Sequence, residues 1–153
     1  MNPLDVFQNQ VLIGALLAWS GAQILKLPVA YARTHSWNWS LLLRAGGLPS
    51  SHSALVTAAA HGIGLTSGFN TPLFAVSVAL AVIVIYDATG IRRQAGQHAA
   101  IINAIIKDIF EGHPARSQEK LREVLGHSPL EAFIGTVLGI AVAQIVHGLW
   151  VLP

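Results

Sequence analysis

The sequence has 153 residues, of which 53% are hydrophobic and only 10% are charged. An ordinary soluble domain carries about 25% charged residues, so this composition excludes a soluble protein and indicates an integral membrane protein. The absence of cysteine excludes a disulfide framework, a thiolate nucleophile and cysteine-ligated zinc. A net charge of +2 with no tract of Lys or Arg excludes a nucleic-acid partner.

Four apolar segments approach the length needed to cross roughly 30 Å of hydrocarbon. In chain order they are residues 8–25, 51–69, 71–91 and 129–151. The first has neither a basic start nor a small-residue cleavage site, which indicates a retained helix rather than a signal peptide. The second and third are joined by the reversal GFNTP, which predicts an antiparallel hairpin. We therefore expect an all-α membrane bundle of about four transmembrane helices, forming a single domain over residues 1–153.

The basic residues are confined to two connections between the predicted spans. They are Lys26, Arg33 and Arg44 in the first connection, and Arg92, Arg93, Lys107, Arg116, Lys120 and Arg122 in the second. With four spans, an N-terminus outside the cell places both connections in the cytoplasm, in agreement with the positive-inside rule. The expected location is the cell inner membrane.

The second connection carries a helical apolar pattern of its own. Its apolar residues are Ile101, Ile102, Ile105, Ile106, Ile109 and Phe110. Lys107, Asp108 and Glu111 fall elsewhere on the helix, so the pattern predicts an amphipathic helix. Two placements stay open, one on the membrane interface and one against the bundle.

Three polar clusters lie at the ends of different spans, and the predicted topology brings these ends to one membrane face. The clusters are His52; Asp87, Arg92 and Arg93; and His127 and Glu131. Arginines and helix N-terminal amides hold phosphate, while one imidazole can attack phosphorus and another can protonate the leaving oxygen. The set therefore indicates phosphoryl chemistry at headgroup depth.

Several of these residues also have a structural interpretation. Ser50 or Ser51 can cap the second span, which is compatible with phosphate binding. Glu131 can belong to a capping box that begins at Ser128, or it can orient His127, four residues earlier.

Other polar and small residues inside the spans also have a structural or a functional interpretation. Asp87, an intramembrane acid, is either half of a structural ion pair or a functional group. Its candidate partners are Arg92, Lys26 and His98. Gly135 and Gly139 are typical of close helix packing. We interpret His61 as a hydrogen-bonded core residue.

Three blocks of sequence, taken together and in order, carry a family resemblance. They are GGLPSSHSA at residues 46–54, YDATGIRRQAG at 86–96, and the segment 126–139 that begins GHSPLE. They resemble the divergent branch of the type 2 phosphatidic acid phosphatase superfamily, which is related to acid phosphatases and vanadium-dependent haloperoxidases. The resemblance covers nearly the whole chain. It implies an all-helical fold whose phosphatases work without a metal ion, so we expect no metal and no cofactor.

The resemblance also implies roles for individual residues. Ser50 and the amide of Ser51 would bind phosphate, and His52 would protonate the leaving group. His127 would form a phosphohistidine, with Glu131 in the place of the acid that orients it. The further candidate phosphate-binding residues are Lys26, Arg44, Arg92, Arg93 and Arg122.

The expected function is metal-independent hydrolysis of a phosphomonoester or diphosphate on a membrane lipid at the cytoplasmic face. The expected partners are membrane lipids and the lipid phosphate substrate, with no nucleic acid. The superfamily usually has six helices, so a homo-oligomer that completes the site stays open. The alternatives are a non-catalytic protein that binds anionic lipid or transports a small anion, and a structural subunit of a membrane complex.

Overall fold

The computed structural model describes residues 2–42, 46–110, 121 and 126–152, and these residues form helices and no strand. The helices are α1 (Gln10–Thr34), α2 (Ser51–Ser67), α3 (Pro72–Thr89), α4 (Ile91–Phe110) and α5 (Pro129–Val151), with short 3₁₀ helices at Pro3–Gln8 and Trp39–Leu42. The predicted all-α membrane bundle is confirmed.

Helix α2 is the centre of the bundle, because it contacts α1, α3 and α5. Helices α1 and α5 also contact each other around it. The buried cluster between the three helices consists of alanines, namely Ala18, Ala22, Ala54, Ala58 and Ala143. Such small side chains let helix backbones approach closely, and van der Waals packing then holds the bundle together in lipid.

The closest helix approach lies between α2 and α5, at the two glycines of the sequence pattern. A Cβ atom on Gly135 would overlap the carbonyl oxygen of Ser50, and one on Gly139 would lie 2.5 Å from the carbonyl oxygen of Ala54. No side chain fits at either position unless the helices move apart. The packing interpretation of these glycines is therefore confirmed.

Within the described residues, three segments are long and apolar enough to cross a membrane. They are Gln10–Thr34, Pro72–Lys107 (which joins α3 and α4) and Pro129–Val151. The first predicted span was too short at its end, because α1 runs on through Pro28 to Thr34. Helix α2, the second predicted span, has 17 residues, which is about the lower limit for a spanning helix.

The predicted hairpin is present, since α2 ends at Ser67 and α3 begins at Pro72, capped by Thr71. The contacts at the glycines show that α1 runs antiparallel to α2 and that α5 runs parallel to α2. The second half of α1, the start of α2, the end of α3 and the start of α5 therefore meet at one end of the bundle. We call this the site end, and the opposite end, where α2 finishes, the far end.

Helix α4 leaves its apolar face uncovered by the bundle. Among the described helices it contacts only α3. The exposed apolar side chains are Ile101, Ile102, Ile105 and Ile109. Of the two placements that the sequence left open, packing against the bundle is not the one observed, and the face stays available for the membrane interface.

Candidate active site

The start of α5 fixes the relation between His127 and Glu131. Ser128 is the N-cap residue, its hydroxyl accepts a hydrogen bond from the Glu131 amide at 3.3 Å, and Pro129 is the first helical residue. The Glu131 carboxylate accepts from the Ser128 amide at 3.0 Å, which completes the capping box. The same oxygen, Oε2, lies 3.3 Å from Nδ1 of His127. Glu131 is therefore both a capping residue and the partner of the imidazole.

The backbone before α5 docks on the junction between α3 and α4. The amide of His127 donates a hydrogen bond to the carbonyl oxygen of Ala88 at 2.8 Å. Gly126 has φ +91°, and a Cβ atom there would lie 2.6 Å from the amide nitrogen of Arg93. Both the backbone angle and the lack of space require glycine. This contact sets the position of His127 relative to the end of α3.

The His127 ring is buried, with 3% of the residue exposed. Its Nε2 has no hydrogen-bond partner in the described part of the chain. Since a carboxylate only accepts, the contact with Glu131 assigns the proton to Nδ1 and leaves a lone pair on Nε2. Burial lowers the pKa of His127 below its ordinary value of 6.5, against the opposing effect of Glu131. The imidazole is therefore neutral at pH 7.

His52, the second residue of α2, faces His127 across a shared cavity. The two ring centroids are 5.9 Å apart, with an angle of 64° between the ring planes. The cavity, whose empty space of about 290 Å³ includes its open mouth, is lined by Gly46, His52, Val84, Asp87, Ala88, Arg92, Gly126 and His127. The structure thus brings together residues from all three polar clusters.

Two cations accompany the histidines. Arg92 lines the cavity, and its Nε donates to Oδ2 of Asp87 at 2.6 Å. Lys26 of α1 is buried, with 2% of the residue exposed, and its aliphatic chain lies against Gly47. Its charge interacts with Glu131 and with both histidines. A buried ammonium group beside two imidazoles gives this site a positive charge that can attract an anion.

Comparisons with known proteins agree with the motifs. Residues 7–142 match the sequence model of the Divergent PAP2 family. The chain belongs to this family. It is also similar to the "Uncharacterized membrane protein YuiD" of Bacillus subtilis (strain 168), with 40% identity over 147 residues, which is 90% of this chain and 93% of the relative. No solved structure matches the chain.

The predicted phosphate-binding serines of this Divergent PAP2 protein are buried and do not line the cavity. The hydroxyl of Ser50 caps α2 by accepting from the amide and the hydroxyl of Ser53, at 3.2 and 3.0 Å. The amides of Ser51 and His52 are the first two of the helix and have no acceptor within it. A role for these amides, rather than for the hydroxyls, fits the position of the cavity.

The other predicted basic residues divide into three groups. Lys26 and Arg92 lie at the site. Arg93 does not line the cavity, and its amide nitrogen lies beside Gly126. Arg44 and Arg122 lie outside the described residues. Of the three candidate partners for Asp87, Arg92 is the one found in contact with it.

Two contributors were not assigned a role from the sequence. The carbonyl group of Ala88 holds the His127 backbone, and Gly126 makes that contact possible. A glycine directly before a candidate nucleophile was a usable signal, whereas nothing in the sequence marks a backbone carbonyl. Across the described residues, no three His, Asp or Glu side chains are grouped closely enough to hold a metal ion.

Proposed function

We propose that this Divergent PAP2 protein hydrolyses a phosphomonoester or diphosphate on a membrane lipid, through a phosphohistidine on His127. The observation that carries the proposal is the buried His127 Nε2, which has no partner among the described residues while Nδ1 contacts Glu131. A buried polar atom without a partner is costly, so its persistence calls for an explanation. Attack on phosphorus supplies one.

The first step forms a bond between Nε2 of His127 and phosphorus while the bond from phosphorus to the lipid oxygen breaks. Glu131 accepts a hydrogen bond from Nδ1 and stabilises the positive charge that develops on the ring. His52, on the other side of the cavity, carries a proton when the phosphate anion is bound beside it, and it gives that proton to the leaving oxygen, which departs as the lipid alcohol.

The second step releases the phosphate. His52, now neutral, accepts a proton from a water molecule as the water oxygen attacks the phosphohistidine. The bond between phosphorus and Nε2 breaks, so His127 returns to its neutral form and inorganic phosphate leaves. The net reaction consumes one water and yields one lipid alcohol and one phosphate.

Phosphate binding is assigned to two cations and one helix start. Arg92 lines the cavity, and the charge of Lys26 acts on both histidines. The free amides at the start of α2 add donors beside His52, where the helix dipole also favours an anion.

The small size of the cavity supports a headgroup phosphate as the reacting part of the substrate. Its empty space of about 290 Å³ includes the open mouth, so the enclosed part is smaller than a lipid. It suits a phosphate with its first few atoms rather than a whole lipid. The acyl chains would stay in the surrounding bilayer.

The proposed orientation places the site end in the cytoplasm of a cell whose inner membrane holds the protein. Its support is the distribution of Lys and Arg. The chain has no cysteine, so single-cysteine variants give clean labelling. A membrane-impermeant thiol reagent on intact cells should label Asn70→Cys, at the far end, and spare Arg33→Cys. The reverse pattern would invert the orientation.

The test of the proposed reaction is phosphate release from a panel of lipid phosphates by purified protein in detergent with chelator present. We expect release by the wild type, with a loss of at least about 1,000-fold in His127→Asn and His52→Asn. His61→Asn is the matched control, because His61 also lies on α2 but is bonded to Gln144 at the far end.

Covalent trapping distinguishes the role of His127 from that of His52. With ³²P-labelled substrate, His52→Asn should still form an acid-labile phosphoprotein, because its nucleophile is intact, and His127→Asn should form none. If no lipid phosphate is hydrolysed by folded protein, the non-catalytic alternative of anionic-lipid binding or small-anion transport replaces this proposal.

A further inference from the structure

We infer that Asp87 is a positioning residue, which holds Arg92 so that the outer edge of its guanidinium group faces the phosphate. The inference rests on the proposed function, since it concerns phosphate binding at the same site. It resolves the two interpretations of the intramembrane acid that the sequence left open.

The contact between the two side chains depends on the break between α3 and α4. Asp87 lies near the end of α3 and Arg92 near the start of α4, five residues later. On a continuous helix, residues three or four apart face each other and residues five apart do not. Gly90 interrupts the helix with φ −102° and ψ −83°, far from helical values, and the Arg92 Nε then lies 2.6 Å from Oδ2 of Asp87. The junction therefore creates this pair.

The pair uses one donor of the guanidinium group and leaves the others for a ligand. Arginine has five N–H donors in a rigid plane, and the contact with Asp87 engages Nε. The four donors on the two terminal nitrogens are the ones that bind phosphate in a bidentate manner. Both side chains line the cavity that contains His52 and His127. A guanidinium group fixed before the substrate arrives loses less conformational freedom on binding.

A purely structural role explains the pair less well. The Arg92 side chain is 57% exposed and that of Asp87 is 33% exposed. These exposed fractions leave the pair accessible from the cavity of His52 and His127, which a purely structural pair would not require. A lone carboxylate at the edge of a phosphate site would also repel the substrate. Because Asp87 contacts Nε of Arg92, its carboxylate instead orients the cation that attracts the substrate.

The test measures the binding of inorganic phosphate to full-length protein in detergent, by isothermal calorimetry, together with KM and kcat for a lipid phosphate. We expect Asp87→Asn to raise both the phosphate Kd and KM about tenfold, with kcat changed less than about threefold. Asp87→Glu, which keeps the charge, should recover most of the affinity. Asp5→Asn removes an equal charge from the N-terminal 3₁₀ helix and should change nothing.

A double-mutant cycle shows whether Asp87 acts through Arg92. In an Arg92→Gln background, Asp87→Asn should cause no further loss of phosphate affinity. The inference is overturned if Asp87→Asn leaves Kd and KM unchanged, tightens binding, or weakens binding equally in both backgrounds. Phosphate binding without turnover would reject the proposed reaction while still deciding the role of Asp87. Absence of both binding and turnover would reject both.

Discussion

The two ends of the bundle each contain buried or half-buried histidines, and the groups that face them differ. At the far end, His61 Nε2 lies 3.0 Å from Oε1 of Gln144, and His147 Nδ1 lies 3.3 Å from Oε1 of Gln10. Both partners are neutral amides. At the site end, His127 contacts a carboxylate, and its second nitrogen is buried without a partner in the described part of the chain.

The comparison shows that the partners of a histidine, rather than the residue type alone, distinguish the two ends. A glutamine satisfies an imidazole without adding charge, and the far-end contacts join helices α1, α2 and α5. The proposed chemistry rests instead on a carboxylate at one nitrogen of His127, a second nitrogen without a partner among the described residues, and the buried Lys26. The expected outcomes below test this difference, from the largest effect to the smallest.

The largest effect is expected from the carboxylate at the site end. Glu131→Gln removes the charge that stabilises the His127 ring when it becomes positive. We expect kcat to fall about 100-fold, which corresponds to about 2.7 kcal/mol in the activation barrier. The measurement is phosphate release from a lipid phosphate at saturating substrate.

Ser128→Ala serves as the control for Glu131, because it removes the other half of the capping box and keeps the carboxylate. It should lower the unfolding free energy by about 1 kcal/mol and leave kcat within a few-fold of the wild type. If Ser128→Ala loses as much activity as Glu131→Gln, helix capping rather than the His127 contact is responsible.

The next effect concerns the helix contact that supports the site end. Gly135→Ala places a methyl group against the carbonyl oxygen of Ser50, a backbone atom that cannot turn aside. We expect a loss of about 2 kcal/mol in unfolding free energy, as for an overpacked core. Gly148→Ala, on the same helix at the far end, meets nothing within 4 Å.

Gly148→Ala should therefore be neutral or stabilising, by up to about 1 kcal/mol from helix propensity. Both variants are measured by denaturant titration in the same detergent. Equal effects at the two glycines would mean that the close approach of α2 and α5 is not what Gly135 provides.

The dependence of stability on pH should come from the site end. The unfolded chain binds a proton on His127 near pH 6.5, whereas burial keeps the folded pKa lower. Below pH 6.5 the unfolded state therefore binds more protons, and stability falls as pH falls, by up to about 1.4 kcal/mol per pH unit. His127→Gln should flatten this slope between pH 6.5 and the folded pKa. If the slope is unchanged in the variant, other groups cause the dependence of stability on pH.

The smallest effect is expected from the far end. His61→Leu leaves Gln144 without its partner and should cost about 1 kcal/mol of stability, as for one hydrogen bond. Turnover and phosphate affinity should stay within about twofold of the wild type, since the contact lies at the opposite end from His127. A large loss of turnover in folded His61→Leu would contradict the division of the bundle into two ends.

Features of the fold that depend on neighbouring residues were predictable. The reversal at 68–72 follows from glycine, asparagine and proline, and the start of α5 follows from the pattern Ser-Pro-Leu-Glu. The spacing of Gly135 and Gly139 indicated the contact with another helix without showing that the helix is α2. The end of α1 was missed, because the apolar segment was ended at residue 25, directly before Lys26, whereas the helix continues through Pro28 to Thr34.

The sequence by itself determined the membrane class, the hairpin of α2 and α3 and the capping box of α5, and it offered the contact of His127 with Glu131 as one of two roles for Glu131. These depend on composition, turn chemistry and spacing along one helix, all of which are local. Only the tertiary structure decided that Asp87 pairs with Arg92 and that the carbonyl of Ala88 holds His127. These contacts depend on the break at Gly90 and on the distance between helices, which packing of the whole bundle sets.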